Sequence, residues 1–185
     1  MIHLDSFSKV GFPGLRVGWI AASRRVIDRL RWAKQRADLH TNLLGQAVLE
    51  ELGRRGWLDK WIRRICKVYA HKLGILRHAS ERYFPEAVRV VYPDGGMSVW
   101  AELPAQVDTA ELLVKARERG VIFAPSRYFY FQNPKHNALR MCFTGPSDPQ
   151  IEKGIATLGD LFKAEIRKAK AGRKRSTEGA GVALV

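Results

Sequence analysis

The residues with the clearest chemical potential lie in one short segment, residues 6–18, which reads SFSKVGFPGLRVG. It places Lys9 beside two serines, Ser6 and Ser8, and a Pro-Gly turn then separates this group from Arg16. Such a turn can fold the arginine back towards the lysine. A lysine becomes a nucleophile when its ammonium loses a proton, and a neighbouring cation favours that loss. Two hydroxyls and a guanidinium suit a phosphate monoester.

A ligand that carries both an aldehyde and a phosphate would use every part of this segment. Pyridoxal phosphate has both groups, and the sequence therefore predicts it as a cofactor bound covalently to Lys9. Two other interpretations of the same residues are a plain surface turn and the S-x-x-K motif of penicillin-binding serine enzymes. The companion S-D-N and K-T-G motifs of those enzymes do not occur in the sequence, nor does a Walker loop or a G-x-G-x-x-G motif.

Composition is typical of a globular protein with a positive surface. The chain has 185 residues, 46% of them hydrophobic, and a formal net charge of +14. That charge invites a nucleic-acid partner, but the basic residues are scattered over several predicted helices and a basic C-terminal run. A solvated basic face is the favoured interpretation. Neither a membrane span nor a signal peptide is predicted, so we expect a cytoplasmic protein.

Cysteine and histidine spacing predicts neither a disulfide nor a metal site. Cys66 and Cys142 each lie in an apolar periodic segment and are expected to be buried and reduced. His71 and His78 lie on one predicted helix, about 10 Å apart along its axis, which is too far for one metal ion. The aromatic run 128–131 could stack on bases, but packing within a loop is the favoured interpretation.

Hydrophobic periodicity predicts an α/β chain in two parts. The predicted strands are 2–7, 15–22, 88–93, 97–104, 121–124 and 138–144. The predicted helices are 23–37, 42–53, 58–83, 110–119 and 148–168, with Thr41 or Asn42 capping the second and Asp148 the last. The second half can close as a small α+β unit. The first two strands cannot bury both faces, so we expect them to be the end of something larger.

The opening segment, extended by one residue to SFSKVGFPGLRVGW, closely resembles the lysine segment of fold-type I, class I/II aminotransferases. The likeness is to the branch of 2-aminoadipate-type aminotransferases and of GntR-type regulators with an aminotransferase-like domain. The resemblance implies that Lys9 carries pyridoxal phosphate and acts as the acid and base in the proton transfer. It implies that Ser6, Ser8 and Arg16 hold the phosphate.

Further segments carry the same resemblance to about residue 165. GWLDKWIRRICKVYAHKLGIL resembles the long interdomain helix, and PDGGMSVWAELP resembles the start of the small domain. GVIFAPSRYFY resembles a family segment in which glycine is usual at the position of Ser126. NALRMCFT resembles the strand whose arginine grips the substrate α-carboxylate, which implies that role for Arg140.

The implied fold is the C-terminal fragment of the fold-type I PLP-transferase fold, with the end of the large-domain sheet, the interdomain helix and the small α+β domain. The implied boundaries are 1–56 for the large-domain remnant, 57–84 for the helix, 85–168 for the small domain and 169–185 for a basic disordered tail.

The implied activity is pyridoxal-phosphate-dependent transfer of an amino group between an amino acid and a 2-oxo acid, by a homodimer when complete. Relatives hold the cofactor ring with residues upstream of the lysine, whereas only eight residues precede Lys9 here. We therefore expect a truncated aminotransferase that does not transaminate by itself. The alternatives are the effector-binding segment of a GntR-type regulator, which would contact DNA only through a further N-terminal domain, or an inactive remnant. The sequence does not determine the substrate side chain.

Overall fold

The computed structural model describes residues 1–178, and side chains through residue 171. The chain forms two compact units, Met1–Lys67 and the part that begins at Val68, and the division falls inside the longest central helix. The domain boundaries predicted at residues 56 and 84 stay predictions. No helix within the described range has a stretch apolar enough and long enough to cross a bilayer.

The first unit contains one antiparallel strand pair and helices. Its second helix begins at a side-chain cap: the Asn42 side chain accepts a hydrogen bond from the Gly45 amide at 3.0 Å, so Asn42 rather than Thr41 is the cap of this helix. Its elements are β1 (His3–Ser6), a 3₁₀ turn (Pro13–Leu15), β2 (Gly18–Ala21), α1 (Arg24–Asp38), α2 (Leu43–Arg54) and the start of α3 (Trp57–Tyr83).

Few apolar side chains of this unit are buried. Among its described hydrophobic residues only Val17, Leu49 and Ile65 are buried. Trp32 is 66% exposed and Leu44 is 73% exposed. This agrees with the expectation that two strands and their helices do not close a core of their own, since exposed apolar area on this scale is unusual for a monomeric surface.

The second unit is a four-stranded antiparallel sheet of order β3-β4-β6-β5 covered by helices. Side chains alternate across the central pair, with Val99 and Leu139 buried while Arg140 is exposed. Phe143 and Phe162 are fully buried in the core, and the Phe162 ring lies 4.8 Å from that of Phe84. The remaining elements are β3 (Arg89–Val91), β4 (Ser98–Glu102), α4 (Thr109–Glu118), β5 (Ala124–Pro125), β6 (Ala138–Cys142) and α5 (Asp148–Glu178).

Two predicted element boundaries are wrong. The strand predicted at 121–124 is reduced to Ala124–Pro125, because the Val121 amide still bonds to the Ala116 carbonyl at 2.9 Å and holds the chain close to α4. The last helix was expected to end near Lys168, but its backbone continues through Glu178. The added residues include alanine, lysine and arginine, which are strong helix formers. The rest of the predicted tail, 179–185, lies outside the described residues.

The start of α5 and both cysteines also differ from expectation. The Ser147 amide donates to Gln150 Oε1 at 2.8 Å, which is half of a capping box, so Ser147 precedes the helix as its cap. Asp148 instead accepts a hydrogen bond from His71 Nε2 at 2.9 Å.

Cys66 and Cys142 are free, as predicted, but both are exposed, because each lies on the outward side of its helix or strand.

Close contact between α3 and α5 predicts opposite effects for two glycines of the same helix. A Cβ at Gly159 would lie 2.5 Å from the Tyr83 carbonyl oxygen, whereas a Cβ at Gly154 meets nothing within 4 Å. We expect Gly159→Ala to lower the free energy of unfolding by about 1–3 kcal/mol, and Gly154→Ala to raise it by roughly 0.5–1 kcal/mol through helix propensity. Urea unfolding of both variants is the measurement. Equal effects of the two substitutions would contradict the described packing.

One carboxylate joins α4 to α5 and makes the stability pH-dependent. Glu165 Oε1 lies 2.8 Å from Lys115 Nζ and 3.5 Å from Lys168 Nζ. Burial raises the pKa of Glu165, but the hydrogen bond and charge of Lys115, with the charge of Lys168, lower that pKa by more. A lowered pKa means stabilisation that is present above the ordinary carboxyl range and lost as the pH falls through the folded pKa.

We therefore expect Glu165→Gln to cost about 1 kcal/mol at pH 7 and to show a shallower loss of stability than wild type below about pH 4.5. The matched control is Glu152→Gln, an exposed glutamate on the same helix with no ion pair to a described residue. The measurement is thermal unfolding from pH 7 to pH 3. Parallel pH curves for wild type and Glu165→Gln would show that this carboxylate does not carry the dependence.

Candidate functional site

The lysine segment is the connection between β1 and β2. The strands pair with Ser6 opposite Gly18, and the Phe7 amide donates to the Val17 carbonyl at 3.0 Å. The two ends of the connection are therefore adjacent. Lys9 and Arg16, which lie between these closing pairs, belong to one loop whose span is fixed by the strand register.

Two glycines let this loop close tightly. A Cβ at Gly18 would lie 3.0 Å from the Asp5 carbonyl oxygen, and one at Gly11 would lie 3.1 Å from the Phe7 carbonyl oxygen. The Gly11 amide donates to that same Phe7 oxygen at 2.7 Å. Larger residues at these positions would have to push backbone apart, so the absence of a side chain is what permits the turn.

Arg16 has a backbone conformation that few residues other than glycine adopt. Its φ and ψ are 54° and 40°, in the left-handed region, where it follows the 3₁₀ turn. The conformation costs about 1–2 kcal/mol for a residue with a Cβ. The Arg16 amide and its Nη1 both donate to the Pro13 carbonyl, at 3.4 and 3.3 Å. A strained backbone conformation persists only where the surrounding structure holds it in place. Residues with such conformations concentrate at functional sites.

The polar side chains of the loop are available to a ligand. Lys9 is exposed, and neither it nor the hydroxyls of Ser6 and Ser8 has a hydrogen-bond partner or ion pair within residues 1–171. Arg16 uses only one guanidinium nitrogen, on Pro13. The loop thus offers an amine, two hydroxyls and most of a guanidinium. The cofactor and phosphate roles predicted for these residues stay predictions.

Arg140 lies in the second unit, on the outward face of its sheet. It stands opposite Trp100 of β4 and Ala124 of β5. Its guanidinium carbon lies 4.7 Å from the centre of the Phe129 ring, and that ring meets Trp100 edge-on at 5.7 Å. No carboxylate among the described side chains pairs with it. An arginine stacked on a ring keeps the edge of its fork free for a planar carboxylate.

Ser126, which stands where glycine is usual in the resembled family segment, is compatible with the fold. Ser126 is fully buried and lies outside the left-handed region, so the position does not require glycine. Its hydroxyl donates to the Lys135 carbonyl and accepts from the Ala138 amide, the latter at 3.3 Å. The serine therefore ties the loop after β5 to the first residue of β6, two residues before Arg140.

The aromatic run after Ser126 is less buried than predicted. Tyr128 is 65% exposed and Phe131 is wholly exposed, so the expectation of a packed loop is wrong for these two. Phe129 alone makes a described aromatic contact, with Trp100. The sequence does not single out Trp100 as a neighbour of Arg140. Only the β4–β6 register, which sets Trp100 opposite Arg140, identifies it as one.

Comparison with known proteins identifies the family of this chain. The model of the family "Aminotransferase class I and II" matches residues 1–158. The chain belongs to this family. Aromatic-amino-acid aminotransferase 1 of Thermococcus litoralis is 38% identical over 91% of the chain and 40% of its own length.

Solved class I and II aminotransferases show the same fold. The multiple substrate aminotransferase of Thermococcus profundus superposes with a TM-score of 0.87 at 35% identity, over 90% of this chain and 41% of that one. The α-aminoadipate aminotransferase of Thermus thermophilus, in complex with N-(5'-phosphopyridoxyl)-L-leucine, gives 0.82 at 37% identity, over 90% and 42%. The fold class predicted from the sequence is confirmed.

The chain spans about two fifths of the length of the curated relatives that it matches. The class I and II aminotransferase segment it represents contains both the lysine loop and the Arg140 strand, one in each compact unit.

Proposed function

We propose that this chain supplies the cofactor lysine, the phosphate grip and the substrate arginine of a pyridoxal-phosphate-dependent aminotransferase. The reaction would move an amino group between an amino acid and a 2-oxo acid. The observation that carries the proposal is the β1–β2 loop, where Lys9 and two hydroxyls, none of them paired with a described residue, share one tight connection with Arg16. A solved relative with a phosphopyridoxyl ligand supports the same cofactor.

The residues of the loop fit pyridoxal phosphate by their chemistry. Phosphate oxygens accept hydrogen bonds, and Ser6, Ser8 and Arg16 all donate; the guanidinium also keeps its charge at every physiological pH. The Lys9 amine is the nucleophile for the aldehyde. When bound, the cofactor supplies an electron sink for negative charge at the substrate α-carbon. Lys9 Nζ then takes and returns the proton at that carbon.

Arg140 would bind the α-carboxylate of the substrate. Two parallel N–H···O bonds hold a carboxylate in the plane of the guanidinium. The Arg140 guanidinium carbon lies over the Phe129 ring, and Trp100 meets that ring edge-on from the neighbouring strand. This stacking limits the rotation of the guanidinium and so reduces the conformational entropy lost on binding.

We further propose that the complete enzyme is a cytoplasmic homodimer. The apolar side chains exposed in the first unit support burial against other protein surface. Two free, exposed cysteines support a reducing compartment.

The first test is covalent labelling of the purified chain with pyridoxal phosphate, borohydride reduction and peptide mapping. We expect Lys9 to be labelled in preference to the other lysines, and about tenfold more by pyridoxal phosphate than by pyridoxal, because the phosphate is gripped. Arg16→Gln should remove that preference. Lys60→Arg, at an exposed lysine of α3, is the matched control and should change nothing. Uniform labelling of all lysines would contradict the assignment of Lys9 as the cofactor lysine.

The second test concerns Arg140 in a complete aminotransferase that contains this segment. We expect Arg140→Ala to weaken binding of amino acid and 2-oxo acid by about a hundredfold, through loss of a charged bidentate pair, and to leave cofactor absorbance unchanged. Arg127→Ala, at an exposed arginine over the Tyr128 ring, is the control. Cofactor loss with unchanged substrate affinity would contradict the role. Ligand binding without turnover would favour the GntR-type regulator instead.

A further inference from the structure

A cleft in the second unit lies beside the end of β6, away from the residues assigned above. It has a volume of about 560 Å³, within the usual range of small-molecule sites. Its walls come from the loop Arg119–Ile122, from β6 and from the first turns of α5. Buried apolar side chains form its floor, among them Leu76, Met141, Phe143, Ile155 and Leu158.

The cleft exposes an unpaired strand edge. β5 pairs with β6 only at Ala124–Arg140 and Pro125–Leu139, so Ile122, next in register opposite Cys142, makes no ladder pair. The Ala138 amide points towards the β5 side, where it bonds to Ser126. Cys142 has the same parity in the strand, so its backbone amide points to that side too, into the cleft that it lines. The Cys142 amide has no hydrogen-bond partner within the described residues, so a free donor borders an apolar floor.

The rim adds further donors and positive charge. Arg119 and Lys153 line the cleft, and neither forms an ion pair with any described carboxylate. Gln150 also lines it and uses its Oε1 on the Ser147 amide, which leaves its amide N–H groups as donors. No aspartate or glutamate contributes to the lining. An anionic head group would meet complementary charge here, and an ammonium would meet two cations.

We propose that this cleft binds a small carboxylic acid with an apolar tail and no amino group. The carboxylate would lie between Arg119 and Lys153 and accept hydrogen bonds from the Cys142 amide and Gln150. The tail would cover Met141, Phe143 and the α5 side chains. The absence of acidic lining selects against amino acids, whose ammonium has no partner. Arg140 does not line the cleft, so the site is separate from the proposed substrate arginine.

Octanoate is a suitable probe, titrated into the full chain by isothermal calorimetry. We expect one site for octanoate. Octylamine lacks the carboxylate and acetate lacks the apolar tail, so both should bind at least about tenfold more weakly. Arg119→Gln and Lys153→Gln should each weaken octanoate binding by about fivefold. Arg117→Gln on α4 and Lys170→Gln on α5, both exposed and outside the lining, are the matched controls and should bind as wild type.

A cavity-filling variant separates binding from folding. Gly154 lines the cleft and a Cβ there meets nothing within 4 Å, so Gly154→Leu should abolish octanoate binding while the thermal midpoint stays equal or rises. The proposal is overturned if octanoate does not bind, or if Gly154→Leu binds it as wild type. Loss of octanoate binding in Arg140→Met would also overturn it, since the ligand would then occupy the other site.

Discussion

Burial of one face of the antiparallel sheet is the constraint on which the second unit depends. Leu139 and Met141 of β6 are covered by the helices, and successive residues of a strand point to opposite faces. Arg140, between them, is therefore exposed on the outer face. A register slip of one residue would bury the guanidinium and expose the core, at a large free-energy cost. Core packing thus fixes the direction in which the arginine points.

The first unit is held together differently. Its lysine loop is closed by backbone pairing between β1 and β2 and by glycines that permit close approach, while few of its described apolar side chains are buried. Backbone hydrogen bonds in an exposed hairpin contribute little net stability. The loop therefore has a defined conformation without a core beneath it. Lys9, exposed on this loop, is therefore placed by backbone pairing and not by packing against a core.

Local signals predicted most elements of the fold well. A capping residue such as Asn42, and apolar periodicity along α3, act over a few residues and can be read directly. Errors arose where apolar composition was a poor guide to the backbone or to burial. Residues 121–124 look like a strand but remain bonded to the end of α4 through Val121, and Cys142 looks like a core residue but lies on the outward side of its strand. Propensity alone detects neither the helix-end hydrogen bond nor the direction of the side chain.

The sequence by itself determined which reactive groups are present: a lysine preceded by two serines, an arginine after a Pro-Gly turn, and a second arginine on an alternating strand. These depend on residue type and short spacing, which the linear chain carries. The tertiary structure alone decided that Phe129 stacks on Arg140, that Trp100 stands opposite it, and that Ser126 replaces glycine without strain. It also decided the cleft beside β6. These features depend on strand register and on which segments meet across the fold, and contacts between residues far apart in sequence form only when the core packs.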